Sequence, residues 1–298
     1  MSTSNERIQL GDLACWRIRH AGAELLVAEQ GAQVLRYQPA NQQPLIWLSE
    51  QAAYQAGQSV RGGIPVCWPW FGDLQRNPQA IRDAHLRPEN APAHGLVRGC
   101  DWQLVGLNTE DEGVLLSFAF DTAAQPFAEW PLTAELQLDI HLSERLSLTL
   151  TTRNLGDREL PISQALHSYF AVSDIRQVKV EGLDPGRYID TLDGWSVQRQ
   201  KEAVSFAGET DRIYLDTPQR MSIVDSGWQR RIVLSSEGSA SAVVWNPWID
   251  KARRLSQFAD DAWQGMLCIE HANVLDDALI LAPQAEYQLA ISLQAHAL

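Results

Sequence analysis

The chain has 298 residues, 45% of them hydrophobic and 20% charged, a balance that sets aside the disordered and fibrous classes. Its formal net charge of −13 argues against duplex nucleic acid or an anionic bilayer as the main partner. It leaves room for a local cluster of arginines, because all but three of the 24 basic residues are Arg.

The segment Met1–Arg7 is polar, and no uninterrupted apolar run of about 18 residues follows it, so neither a signal core nor a membrane span is expected. The cysteines Cys15, Cys67, Cys100 and Cys268 form no C-x-x-C pair. Reduced thiols and a cytoplasmic location are therefore expected.

In chain order, the first unusual segment is Arg61-Gly62-Gly63-Ile64-Pro65-Val66-Cys67-Trp68-Pro69-Trp70-Phe71-Gly72, which mixes aromatics, Gly and Pro without alternation. A non-periodic stretch from Gly72 to Pro92 follows, with Arg76, Arg82 and Arg87; it reads as an exposed loop near a site. Ala93-His94-Gly95-Leu96-Val97-Arg98 comes next. Apolar residues then recur with period two at Val114, Leu116, Phe118 and Phe120. The same pattern runs through Leu136, Leu138, Ile140 and Leu142, and resumes at Leu146, Leu148 and Leu150 after the link Ser143-Glu144-Arg145. That spacing predicts a β-hairpin with one buried face.

Leu166-His167-Ser168-Tyr169-Phe170 breaks the alternation. Shorter β-like runs lie at Gln177–Val180, Arg231–Leu234 and Val243–Trp245. Trp245-Asn246-Pro247-Trp248 and Leu267-Cys268-Ile269-Glu270-His271 are again irregular, and Tyr287, Leu289, Ile291 and Leu293 restore the period of two. Strands separated by polar turns, with no long helical period, no linker and no repeat, predict an all-β protein. The expected form is one large antiparallel sandwich spanning residues 1–298 as a single domain.

Each irregular segment has a bland and a chemical reading. His167 on an apolar strand is either a hydrogen-bonded core residue or a catalyst. Glu270 after an apolar run must be paired, hydrogen-bonded or in a cavity, because burying a bare carboxylate is expensive. Trp68, Trp70, Trp245 and Trp248 are packing residues, or indole faces for the apolar side of a sugar ring. Arg61 and Arg98 are solvated charges or anion contacts. Nucleotide loops, zinc-ligand spacing and the G-x-S-x-G elbow are all missing from the sequence.

Taken together and in order, Arg61-Gly-Gly-Ile-Pro, Trp-Pro-Trp-Phe-Gly, His94-Gly-Leu-Val-Arg98, Leu-His167-Ser-Tyr-Phe, Trp-Asn-Pro-Trp and Ile-Glu270 resemble the hexose-6-phosphate mutarotase branch of the aldose 1-epimerase family. The resemblance spans roughly residues 10–295 and implies a large β-supersandwich of the galactose mutarotase type. It implies His167 and Glu270 as the catalytic pair, and Arg61, His94, Arg98 and Asp211 as substrate-binding residues. It further implies that neither metal nor organic cofactor takes part, and that the partner is a small sugar phosphate, with no nucleic acid or membrane. A monomer is expected. Ala93 stands where some relatives have Gln, and one of Arg76, Arg82 or Arg87 is a candidate third contact for phosphate. Two other readings are a mutarotase of unphosphorylated sugar and a non-catalytic carbohydrate-binding protein; the retained acid–base pair argues against the second.

Overall fold

The computed structural model describes residues 3–110 and 112–298, so Met1 and Ser2 of the polar N-terminal segment lie outside the described residues. The structure is built from antiparallel sheets, as the period-two pattern requires. Nine strands form the largest. In spatial order they are Val204–Ser205, Val178–Glu181, Arg220–Asp225, Arg230–Glu237, Glu286–Ala297, Leu146–Asn154, Ala134–Leu142, Gly113–Asp121 and Gln103–Glu110. The expected hairpin lies within it: Leu138 faces Leu150 and Ile140 faces Leu148 across the short link. Leu136, Leu138, Ile140 and Leu142 are fully buried while the residues between them are half-exposed. At the Gln177–Val180 run, the strand starts only at Val178, because Ile175–Gln177 is a turn of 3₁₀ helix capped by the Asp174 carboxylate.

A second sheet of seven strands runs in the order Ser196–Gln200, Gly186–Asp190, Thr210–Leu215, Ser241–Asn246, Met266–Asn273, Gln164–Ala171 and Val66–Cys67. Every residue of Ser241–Asn246, Met266–Asn273 and Gln164–Ala171 is buried. A strand covered on both faces has no reason to alternate apolar with polar. This is why these stretches read as irregular: one face joins the apolar core shared with the nine-stranded sheet, and the other carries polar groups beneath a cavity.

Four strands near the N-terminus form a further sheet, Thr3–Leu10, Leu13–His20, Ala23–Ala28 and Val34–Gln38. The Gly72–Pro92 stretch is more ordered than an exposed loop. It holds the helix Gln79–Asp83 and buries Leu74, Ile81 and His85. Buried Asn77 staples it by donating to the carbonyls of Phe71 and Asp73 and by bonding to the Ser163 hydroxyl. Among the described residues no helix is long and apolar enough to cross a membrane.

Candidate active site

Antiparallel register on the seven-stranded sheet places the chemistry in two rows. His167, Glu270, Val243 and Ile213 face one another across four strands, and Tyr169, Cys268, Trp245 and Asp211 form the next row. Residues two apart in a strand share a face, so both rows point the same way. All of them except Cys268 line a cavity of about 540 Å³, a size suited to a small polar ligand. Arg61, Phe71, Arg76, His94, Trp195 and Lys251 close its sides.

His167 and Glu270 are therefore direct cross-strand neighbours. The Nε2 of His167 lies 3.3 Å from Oε2 of Glu270, and the two side chains are 9% and 3% exposed. Neither Glu270 Oε2 nor His167 Nδ1 has a hydrogen-bond partner among the described residues. Buried polar groups are normally satisfied, so two orphans at the floor of one cavity point to a polar ligand. Burial pushes the Glu270 carboxyl well above the usual carboxylate range, and the nearby Asp211 adds to it. Burial also holds the His167 imidazole well below its ordinary value, helped by His94, Arg98 and Arg61. The favoured resting form is thus a neutral carboxylic acid beside a neutral imidazole. The ion pair differs from it by one proton moved between the two residues.

The local backbone explains how the other groups arrive. Amides of His167 and Tyr169 donate to the carbonyls of Pro65 and Gly63, which lays the Arg61-Gly-Gly-Ile-Pro segment along the His167 strand. Gly63 has φ +74, and a Cβ there would lie 2.2 Å from the Val34 carbonyl oxygen, so only glycine fits. Arg61 is left half-buried at the cavity wall, with Nε donating to the Ser256 carbonyl at 3.3 Å. Tyr169 stacks on His167 at 4.8 Å and on Trp47 at 5.8 Å, which fixes the imidazole plane.

His94 sits at φ +63 and is followed by Gly95, whose added Cβ would be 2.0 Å from the Trp68 carbonyl oxygen. The Gly72 amide donates to His94 Nδ1 at 3.3 Å. That bond assigns the neutral tautomer with the proton on Nε2. Burial, with Arg98 and Arg61 nearby, pushes the His94 imidazole down to about 3, so it stays neutral.

Arg98 does not line the cavity. Its guanidinium donates to the Ala93 carbonyl at 2.6 Å and to Ser59 Oγ at 3.4 Å, although its charge still acts on His94 and His167. Ala93 contributes its backbone oxygen to that contact. Asp211 does line the cavity, 3.8 Å from Lys251 Nζ, and burial raises its carboxyl while Lys251 pulls it back down. Of the three loop arginines only Arg76 reaches the cavity, where it lies 4.9 Å over the Trp195 ring. Arg82 bonds to Gln79, and Arg87 pairs with Glu129 at 3.7 Å. Trp68 and Trp70 are fully buried packing residues, whereas Trp245 forms part of the cavity wall.

Tyr169, Lys251 and Trp195 are cavity residues that the sequence reading did not select. Tyr169 was within reach, since it lies two residues from His167 on a strand. Lys251 follows the Trp-Asn-Pro-Trp motif, whose Asn246 donates to the carbonyls of Trp263 and Met266 and accepts from the Trp248 amide. The motif is thus a staple that launches the helix Trp248–Ala252, which carries Lys251 to Glu209 and Asp211. Trp195 carried no local signal.

The buried imidazoles have a measurable consequence. An unfolded imidazole titrates near 6.5, while folded His94 and His271 hold to about 3 and about 4. Between those limits the unfolded chain binds more protons, so this stability is complete above pH 6.5 and falls as the pH drops toward 4. His167 acts in the same direction; Glu270, with its raised folded value, opposes it. Urea midpoints are therefore expected to be lower at pH 5 than at pH 7, and equal midpoints would contradict this balance.

The sequence model of the aldose 1-epimerase family matches residues 14–294. A Cenchrus ciliaris protein named "Putative glucose-6-phosphate 1-epimerase" is 32% identical over 276 residues, covering 89% of this chain and 79% of its own. A Salmonella typhimurium protein of the same name is 31% identical over 271 residues, covering 89% and 84%. The crystal structure of a "putative mutarotase" (YeaD) from Salmonella typhimurium superposes with a TM-score of 0.89 at 27% identity, covering 99% of this chain and 94% of that one. The match over nearly the whole length, together with the galactose mutarotase-like sandwich, establishes that the chain belongs to the aldose 1-epimerase family of isomerases.

Proposed function

We propose that the protein interconverts the α and β anomers of a hexose 6-phosphate, glucose 6-phosphate foremost, with His167 and Glu270 as the proton-transfer pair. The observation that carries the reading is the pair itself: two buried titrating groups, 3.3 Å apart, with unsatisfied atoms at the floor of a sugar-sized cavity. Anomer exchange breaks the C1–O5 bond. The C1 hydroxyl gives up its proton as C1=O forms, and O5 receives a proton. The open aldehyde turns about C1–C2 and recloses on its other face by the reverse transfers, so no proton is gained or lost overall. One base and one acid are needed at once, and a carboxyl–imidazole pair sharing one exchangeable proton supplies both. In the working state Glu270 is the ionised base for the C1 hydroxyl and His167 the imidazolium that protonates O5.

Phosphate has a part in reaching that state. Arg61 and Arg98 help to hold the His167 imidazole down. A dianion placed against Arg61 offsets that charge and favours the imidazolium, so binding and activation are coupled. Arg61 and Arg76, both on the cavity wall, are the guanidinium forks nearest to hand for the phosphate. Arg98 acts through its field and by fixing the His94 segment. His94 Nε2–H donates to a sugar hydroxyl, and Asp211 accepts from another. The four free thiols suit a cytoplasmic protein, which we take to be a monomer of one domain.

The test is magnetisation exchange between anomers in NMR, with glucose 6-phosphate and glucose compared at equal concentration. Faster exchange for the phosphate ester is expected. Preference for free glucose transfers the reading to an unphosphorylated aldose, and no catalysis of either sugar would end it.

A further inference from the structure

We propose that the cavity floor is also a binding site for a thiophilic divalent cation such as Zn²⁺, held by His167, Cys268 and Glu270, whose occupation switches the enzyme off. The binding half stands on geometry; the inhibitory half rests on the catalytic reading given above.

One ligand atom from each of the three residues lies within 4.8 Å of the other two, and all three residues are buried. The register makes this a built arrangement. Cys268 and Glu270 are two apart on the same face of one strand, and His167 is directly opposite Glu270 on the next. The 3.3 Å between His167 Nε2 and Glu270 Oε2 is already the separation of two donors on one tetrahedral ion, which bond lengths of about 2.0–2.3 Å set at roughly 3.3–3.8 Å. The thiol sulfur, within 4.8 Å of the other two donor atoms, has to close by up to about 1.3 Å to complete the triangle.

Two further features point to a ligand at this place. Glu270 Oε2, one of the proposed donor atoms, belongs to a side chain more than nine-tenths buried that lines the cavity, and it lacks a partner among the described residues. The donor set of nitrogen, sulfur and oxygen suits Zn²⁺ or Co²⁺ and not Mg²⁺ or Ca²⁺, which require oxygen alone. Three protein donors leave the fourth position open to the cavity. On binding, the Cys268 thiol and the Glu270 carboxyl release their protons to solvent, and the hydrated cation gives up the waters they replace. Thiolate and carboxylate then balance the dication, so the buried cluster is neutral. The same bonds occupy the imidazole lone pair and the carboxylate, so neither can exchange a proton with O1 or O5.

The experiment titrates Co²⁺, read by absorption, and Zn²⁺, read by anomer exchange, into the wild-type protein and into Cys268→Ala and Cys268→Ser. Each rate is normalised to the metal-free rate of the same protein. A thiolate-to-cobalt charge-transfer band is expected in the wild type and in neither variant. The Zn²⁺ concentration that halves the rate should rise about tenfold or more in both variants, as loss of a ligand or its support does elsewhere. Absence of the band in the wild type, its survival in the variants, or unchanged Zn²⁺ sensitivity would overturn the proposal. Should the metal-free protein fail to exchange anomers, the catalytic reading falls, and the cobalt band still decides the cation site by itself.

Discussion

Anomer exchange is expected to slow by about 10²–10⁴-fold when His167 is replaced by Ala, and by a similar factor when Glu270 is replaced by Gln. Each change removes one end of the proton-transfer pair while leaving the cavity in place. Glu270→Gln keeps the size of the side chain and deletes a buried titrating group whose ionised form burial disfavours, so the fold is expected to survive it. His167→Ala leaves Tyr169 stacked on Trp47, so the cavity wall keeps its support. The two losses are not additive. With one partner gone the other has no proton to trade, so the double variant should be about as slow as either single one. Magnetisation exchange on glucose 6-phosphate, with urea midpoints as the control for folding, measures both. Turnover near wild type in either single variant would remove the pair from the mechanism.

The second large effect concerns the phosphate. Arg61→Ala is expected to weaken binding of glucose 6-phosphate by about 10–100-fold, which corresponds to loss of a charge-assisted hydrogen bond of roughly 1.5–3 kcal/mol. Binding of glucose should change little. Arg61 is the natural choice because it is half-buried at the cavity wall and its own protein bond, to the Ser256 carbonyl, is a long one at 3.3 Å. Arg98 is the contrast: its guanidinium is already engaged by Ala93 and Ser59. A plot of KM for both sugars in the variant reads the effect directly. Equal weakening of both would show that Arg61 holds the ring or the wall and not the phosphate.

The sheets were open to reading from residues alone because alternation depends only on near neighbours. Val114–Phe120, Leu136–Leu142, Leu146–Leu150 and Tyr287–Leu293 each have one face against the core, and each lies in a strand with the expected face buried, Tyr287 alone being half-buried. The interior strands gave no such pattern, and their irregularity was itself informative. Polar groups such as His167 and Glu270 survive on doubly covered strands only where a cavity or a partner receives them. Residues 72–92 are largely exposed and reach the cavity, as expected of a loop near a site, but their internal order escapes the sequence, because the bonds of Asn77 to Phe71, Asp73 and Ser163 are invisible without the fold.

By itself, then, the chain determined its sheet-forming segments, its likeness to the aldose 1-epimerases and the identity of an acid–base candidate pair. Only the tertiary structure decided which residues share a row. Register sets His167 opposite Glu270 and brings Cys268 within reach of both, while the helix Trp248–Ala252 carries Lys251 to Asp211 and the short helical turns outside the sheet face Arg76 to the cavity and turn Arg98 away from it. The physical reason is that strand pairing joins positions far apart in the chain. A shift of one residue would send the strand side chains His167, Cys268 and Glu270 to the opposite face.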